Sequence, residues 1–293
     1  MKQAVLLLAH GAPERLEDIA EYLNCVRGGR PTPSRIVEEV RQRYAEIGGG
    51  SPLLARTREQ ARALQARLEV PVYFGMRNWH PFIQETMARI QADGVERIVA
   101  ICLAPQYSKA SVGLYFRRVQ EAKQELGAGA EIVWAKSYHA NPLLIQAFHE
   151  RLKPLLPAEK VLFTAHSLPQ RVLERGDPYD TEAKATAAAV AARASLAAWD
   201  FAYQSQGFSE GEWLGPTVES WLDRYAAEGA RDVVLAPIGF VSDHFEILYD
   251  VDILCRGYAR DRNIRLRRPE SLNDSAAFIA ALAEVAKQKL CAG

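Results

Sequence analysis

The chain has 293 residues, 48% of them hydrophobic, so it is long enough to bury a sizeable core as one large domain or two ordinary ones. Its 36 Lys and Arg residues balance 36 Asp and Glu, which leaves no global field to draw nucleic acid or an acidic partner, and any charge-based recognition has to be local. Cys25, Cys102, Cys255 and Cys291 form no CxxC pair, which argues against a zinc knot and a disulfide framework; they read as small buried hydrophobes plus one tail cysteine.

From the N-terminus, Met1-Lys2-Gln3 leads directly into VLLLA, too short for a signal core or a membrane span, so a cytoplasmic protein is expected. Strand-like runs recur near 3–9, 70–74, 97–103, 130–134, 159–164, 198–203, 231–236 and 263–266. Helical-period stretches such as 35–46, 53–68, 81–93 and 273–289 separate them. The alternation predicts an α/β fold with parallel sheets covered on both faces. Gly48-Gly49-Gly50 reads as a helix stop, with Ser51-Pro52 opening the next helix.

Two of the runs share a pattern. VLLLAHG, ending at Gly11, and VLFTAHS, ending at Ser167, are fully buried strands by composition that break off at Ala-His and a small residue. His10 and His166 are thereby placed at strand C-termini, the edge where open α/β sheets bind ligands. VAICLAPQYS, to Ser108, and VVLAPIGFVSDH, to His244, form a second matched pair. The expected organisation is two similar halves facing a cleft, residues 1–140 and 141–271, with the crossover near Asn141-Pro142. The terminal helix, 272–293, can pack on either half and is assigned to the first.

Chemistry concentrates in GFVSDHFEILYD, where Asp243, His244, Glu246 and Asp250 crowd the first turns of a helix entered from a buried strand. Glu246 and Asp250, four apart, share a face and repel unless something positive sits between them. A divalent metal would serve, whereas Asp243 is equally well explained by the helix dipole. With His166 at a nearby edge, the segment suggests an imidazole facing one to three carboxylates, able to hold a metal and take up protons. Residues 27–33, with Arg27 and Arg30, suit a lip over an anionic ligand or an ordinary turn. Trp213, in the loop 204–216, is either core or a ligand-stacking surface. His80, His139 and His149 read as structural or solvated. There is no Walker A and no Gly-x-Ser-x-Gly elbow.

FTAHSLP (163–169), RGDPY (175–179), YQSQG (203–207), WLGP (213–216) and PIGFVSDHFEILYD (237–250), with IGGGSPL (47–53) and LAPQYS (103–108), closely resemble the ferrochelatase family, in order along nearly the whole chain. The resemblance implies two Rossmann-like, doubly wound parallel-sheet domains around a porphyrin cleft, and insertion of Fe2+ with release of two pyrrole protons. It implies His166 and Glu246 as metal-binding and proton-accepting residues, Asp250 as a further acid on the metal-delivering helix face, and Tyr22, Arg27, Ser51 and Tyr107 as residues holding the macrocycle or its propionates. Arg30 and Trp213 join that porphyrin-binding set. Iron is then a substrate, no prosthetic group or iron–sulfur cluster is expected, an accessory divalent metal has room, and the partners are the porphyrin and transient haem-pathway enzymes. Two positions depart from the soluble relatives. Gly28 replaces a lip arginine, and His10 stands where they carry Tyr, a histidine also found in sirohydrochlorin and cobalt chelatases, which implies a second metal ligand or porphyrin contact. Coproporphyrin III is the expected substrate, with protoporphyrin IX, a sirohydrochlorin or cobalt chelatase, and a non-catalytic haem or metal carrier as alternatives.

Overall fold

The computed structural model describes residues 1–206 and 211–291. Residues 207–210 of the loop 204–216, and 292–293 of the terminal segment, lie outside the described residues. Among the described residues there are two four-stranded parallel sheets. The first contains β1 (Gln3–Ala9), β2 (Val72–Met76), β3 (Arg97–Cys102) and β4 (Glu131–Ala135) in the order β2-β1-β3-β4. The second contains β5 (Lys160–His166), β6 (Asp200–Gln204), β7 (Asp232–Pro237) and β8 (Arg265–Arg267) in the equivalent order β6-β5-β7-β8. β1 and β5 are thus the same strand of a repeated α/β unit, and this two-unit α/β architecture is the fold class read from the sequence.

Helices fill the connections as right-handed parallel crossovers demand. In the first unit they are α1 (Ile19–Val26), α2 (Ser34–Glu46), α3 (Leu53–Gln65), α4 (Ile83–Ala92) and α5 (Val112–Glu125). α6 (Pro142–Leu152) follows β4, its start fixed by Asn141, whose side chain accepts from the amides of Leu143 and Leu144, and by Pro142 at the first helical position. Beyond β5 come the short α7 (Arg171–Glu174), α8 (Tyr179–Arg193), α9 (Val218–Ala227), a π-helix (Glu246–Cys255), α10 (Arg256–Arg260) and α11 (Ala276–Cys291).

Strand alternation sorts the core. Val5 and Leu7 of β1 and Phe163 and Ala165 of β5 face one shared cluster filled from α6, α8 and α11, including Phe148, Val190 and Phe278. Leu6 and Leu8 face the opposite side, under Met87, Ile90 and Tyr115; Leu162 does the same under Leu222, Tyr225 and Ile247. Both faces of each sheet are covered, which is why the strands are continuously apolar. α11 packs against α6, α3, β3 and β4. The α1–α2 hairpin has a small cluster of its own, Ile19, Val40 and Tyr44, touched from the second unit by Phe245.

Candidate active site

β1 ends at His10 because the next residue turns sharply. Gly11 has φ +84°, and a Cβ there would lie 2.7 Å from the Trp79 nitrogen, so only glycine lets the exit of β1 lie against that of β2. Parallel pairing continues past the strands, Arg77 N–H donating to the Ala9 carbonyl at 3.0 Å and Asn78 N–H to the His10 carbonyl at 2.9 Å. Asn78 is thereby brought to the imidazole. His10 Nδ1 donates to the Gly11 carbonyl at 3.0 Å, and its Nε2 accepts from the Asn78 amide at 3.1 Å. Both ring nitrogens are used by a neutral ring. Burial, reinforced by the Arg77 guanidinium, pushes His10 down to about 4.

β5 ends in the same way with a different outcome. Gly239, leaving β7, passes so close that a Cβ would lie 2.9 Å from Ala165 Cα. The following segment then carries Glu246 over the strand edge at the start of the π-helix. His166 Nδ1 donates to the Ser167 carbonyl, leaving Nε2 facing Glu246 Oε1 at 3.5 Å. Glu246 Oε2 is 3.4 Å from His244 Nε2, and the His244 ring is held by Nδ1 donating to the Ser242 carbonyl at 2.8 Å. One carboxylate is bracketed by two imidazoles.

The charges follow from that bracket. Burial alone would lower His166, but the charge and hydrogen bonding of Glu246 outweigh it and raise the imidazole above its ordinary 6.5. Burial would likewise raise Glu246, yet His166 and His244 hold it well below the usual carboxylate range. Asp250, four residues on, accepts from Ser205 Oγ. Burial, with the Glu246 charge acting in the same direction, raises its carboxyl to about 6. The positive partner that the Glu246–Asp250 repulsion calls for is supplied at Glu246 by the two imidazoles, and at Asp250 the repulsion shows as a carboxyl that takes up a proton near pH 6. Asp243 belongs to a different network, accepting from Ser271 and Asn273 beside Arg268, and anchors the entry to the helix.

One cleft between the units is lined by His10, Tyr22, His166 and Glu246 together with His244, Tyr44, Phe245, Arg77 and Tyr115, and has apolar walls that include Leu53, Leu103, Leu168 and Phe240. His166 and Glu246 retain 27% and 34% of their side-chain exposure there, so both reach a ligand in the cleft. The remaining residues singled out from the sequence stand outside its lining. Ser51 is buried at the start of α3, its Oγ accepting from Leu53 N–H at 3.3 Å. Tyr107 packs on Phe116. Arg27 and Arg30 lie in the segment that follows α1, Arg30 Nε donating to the Arg27 carbonyl at 3.1 Å. Trp213 is half-buried beside Pro169, in the segment that pairs with residues following His166. Asp250 is one turn further along the π-helix.

Sequence reasoning passed over Arg77, Tyr44 and Phe245. Arg77 follows β2 directly, so the strand-edge rule that selected His10 and His166 would also have selected it. Tyr44 and Phe245 carried no such signal; their rings stack at 4.4 Å across the two units, a contact that only the tertiary fold creates.

An imidazole nitrogen and a carboxylate oxygen side by side at the edge of an apolar cleft suit a divalent transition metal, and the same pair can accept protons. The architecture is that of the tetrapyrrole chelatases. The sirohydrochlorin chelatase SirB from Bacillus subtilis subspecies spizizenii, solved with cobalt, superposes with a TM-score of 0.64 over 99% of this chain and 96% of that one at 12% identity. CbiX, described as the terminal enzyme for biosynthesis of siroheme in denitrifying bacteria, does so with a TM-score of 0.53 over 97% and 98% at 15% identity. At such identities the likeness defines the fold alone.

Within that class the chain belongs to the ferrochelatase family, whose family model matches residues 2–290. It is 48% identical to the ferrochelatase of Acidobacterium capsulatum, over 99% of this chain and 95% of that protein. It is 42% identical to that of Herpetosiphon aurantiacus, over 97% and 98%. The coproporphyrin III ferrochelatase of Geobacillus kaustophilus is 36% identical, over 96% and 94%. The chain is a metal-inserting lyase of haem biosynthesis. No helix among the described residues is long and apolar enough to cross a membrane.

Proposed function

We propose that this ferrochelatase inserts Fe2+ into coproporphyrin III, with His166 and Glu246 as the residues that meet the metal and receive the pyrrole protons. The observation that carries the reading is the His166–Glu246 pair, 3.5 Å apart on the wall of the cleft. Relatives named for coproporphyrin III, at 34–36% identity, and the two lip arginines support the four-carboxylate substrate. A porphyrin enters with two N–H protons and leaves as the dianion around Fe2+, so two protons must be taken up. Above its raised pKa, His166 is neutral; the bond to the Ser167 carbonyl keeps its proton on Nδ1, so the Nε2 lone pair faces the cleft beside the Glu246 carboxylate. That state offers both donors to incoming iron and both acceptors to the pyrroles. In this reading Asp250, whose carboxyl is raised to about 6, is the further acid of the helix face and a second acceptor for protons leaving the Glu246 end. Apolar walls exclude water from the macrocycle and favour its bent form.

His10 enters this reading as the imidazole on the opposite wall, and binding metal through Nε2 requires it first to give up Asn78. Tyr22 shares that wall, while Arg27, Arg30, Ser51, Tyr107 and Trp213 are assigned to the porphyrin's periphery. The reading places the chain in the cytoplasm, between an enzyme that supplies porphyrin and one that takes its iron complex. It is tested by anaerobic Fe2+ insertion with coproporphyrin III, protoporphyrin IX and sirohydrochlorin side by side. Coproporphyrin III should give the highest kcat/KM. Preference for protoporphyrin IX overturns the substrate assignment, preference for sirohydrochlorin overturns the reaction, and stoichiometric haem binding without turnover identifies a carrier.

A further inference from the structure

Arg77 is the cation of the cleft that the chemistry above does not use. Its guanidinium lies over the Tyr115 ring, 4.8 Å from the centroid, and among the described residues it makes no hydrogen bond or ion pair through its side chain. It lines the central cleft with His10 and Tyr22 and also an outer groove between the end of α1 and α5, walled by Cys25, Gly28 and Arg117. Arg77 therefore stands at the point where the cleft opens sideways. The acids of this corner, counting the adjoining pocket that Arg77 also lines, are Glu21, Glu121 and Glu125; Glu121 is paired with Arg118 at 3.0 Å, Glu125 accepts from Gln84, and none of the three bonds to Arg77. Arg117 is exposed, and neither it nor Arg77 is held in an ion pair among the described residues, so both guanidinium groups remain available to a carboxylate from a ligand.

A half-buried guanidinium that sits over an aromatic ring without using its N–H donors keeps them available, and a carboxylate can match the fork with two parallel hydrogen bonds. A tetrapyrrole is an apolar disc with its carboxylates on the rim. With its centre beside His166 and Glu246, a rim substituent has to leave the apolar walls through such an opening. We propose that Arg77 binds a propionate-type carboxylate of the tetrapyrrole where the cleft meets the α5 groove, with Arg117 as the outer cation. This rests on the cleft being the porphyrin site.

The test compares the wild type with Arg77→Gln and Arg77→Lys, using coproporphyrin III and its neutral tetramethyl ester, with binding read by porphyrin fluorescence and turnover by metal insertion. Arg77→Gln should raise KM and Kd for the free acid about five- to tenfold, more than it lowers kcat, and leave ester binding unchanged within about twofold; Arg77→Lys should recover part of the loss. Arg117→Gln should weaken the acid less, by about twofold, as an exposed charge would. Equal losses for acid and ester, or a fall in kcat with unchanged KM, overturn the proposal and make Arg77 a residue acting on the metal centre. A wild type that binds neither porphyrin removes the underlying reading, and this one with it; a wild type that works while Arg77→Gln loses nothing removes this proposal alone.

Discussion

The two units end their first strands on the same Ala-His pair followed by a small residue and make opposite histidines from it. His10 and His166 follow equivalent strands, and each donates Nδ1–H to the carbonyl of the very next residue. The difference lies at Nε2. His10 accepts from an amide in the loop after β2, and burial, then the Arg77 guanidinium from the same loop, keeps it neutral down to about 4; His166 meets a carboxylate from the segment after β7, which outweighs its burial and raises it. Local sequence sets where an imidazole stands and which tautomer it holds, and the neighbouring strand's exit sets its charge.

The comparison breaks most visibly at the charged member. His166→Ala should lower metal insertion by about a thousandfold, within the range for losing an acid–base group, while porphyrin fluorescence still reports binding. Retention of near-normal turnover would sink the assignment. Glu246→Gln keeps shape but removes the charge, so insertion should fall by about a hundredfold. In the metal-free variant the largest raising influences on His166 are gone, leaving burial opposed only by the Ser167 carbonyl and the Asp250 charge, so its titration, followed by proton NMR, should move downward; an unmoved pKa would mean that Glu246 is not its partner.

The neutral member shows itself in stability. The unfolded chain protonates His10 near 6.5 and the folded chain only near 4. Between those values the unfolded state binds more protons, so stability is lost as pH falls, by at most about 3 kcal/mol for this group. His10→Gln should flatten that part of a urea-denaturation profile, and an identical slope would refute it. Asn78→Asp converts the partner to the type found at the other histidine. It should raise the His10 pKa while changing insertion by less than about tenfold, and a His10 that remains neutral at pH 5 would show that burial alone governs it. Smallest of all, Tyr107→Phe, which removes one hydroxyl at the porphyrin's periphery outside the cleft lining, should alter KM for coproporphyrin III by less than about twofold; a tenfold rise would make Tyr107 a principal porphyrin contact.

The eight strands were legible because strands buried on both faces leave unbroken apolar runs. The edges slipped by a residue or two, as where a run starting at 70 becomes Val72–Met76. α8 was harder to read, since its alanines fall on every face and leave little apolar stripe. GFVSDHFEILYD was recognisable as an acidic helix start, but the π-helical winding from Glu246 had no sequence signal. The same segment supplied His244, whose bracketing of Glu246 depends on a bond to the Ser242 carbonyl. Ser51 shows the limit from the other side: its opening of α3 could be read from Ser-Pro after the glycines, whereas its place beyond the cleft lining is a tertiary fact.

The floor of the cleft is sewn and its rim is only pressed shut. Across the floor, the buried Gln60 amide donates to Ser242 Oγ and the Asn273 carbonyl, Gln106 to Thr186 and the Ile238 carbonyl, and Ser108 to Asp177. Parting the units there would exchange each of these bonds for bonds to water, at a net loss of about 0.5–1.5 kcal/mol each. At the rim, by contrast, the α1–α2 hairpin meets the second unit through the Tyr44–Phe245 stack, a contact that can slide without orphaning a donor. Among the described residues the α1–α2 hairpin is thus held to the second unit by faces of rings, whereas the floor is held by directional bonds between buried polar groups.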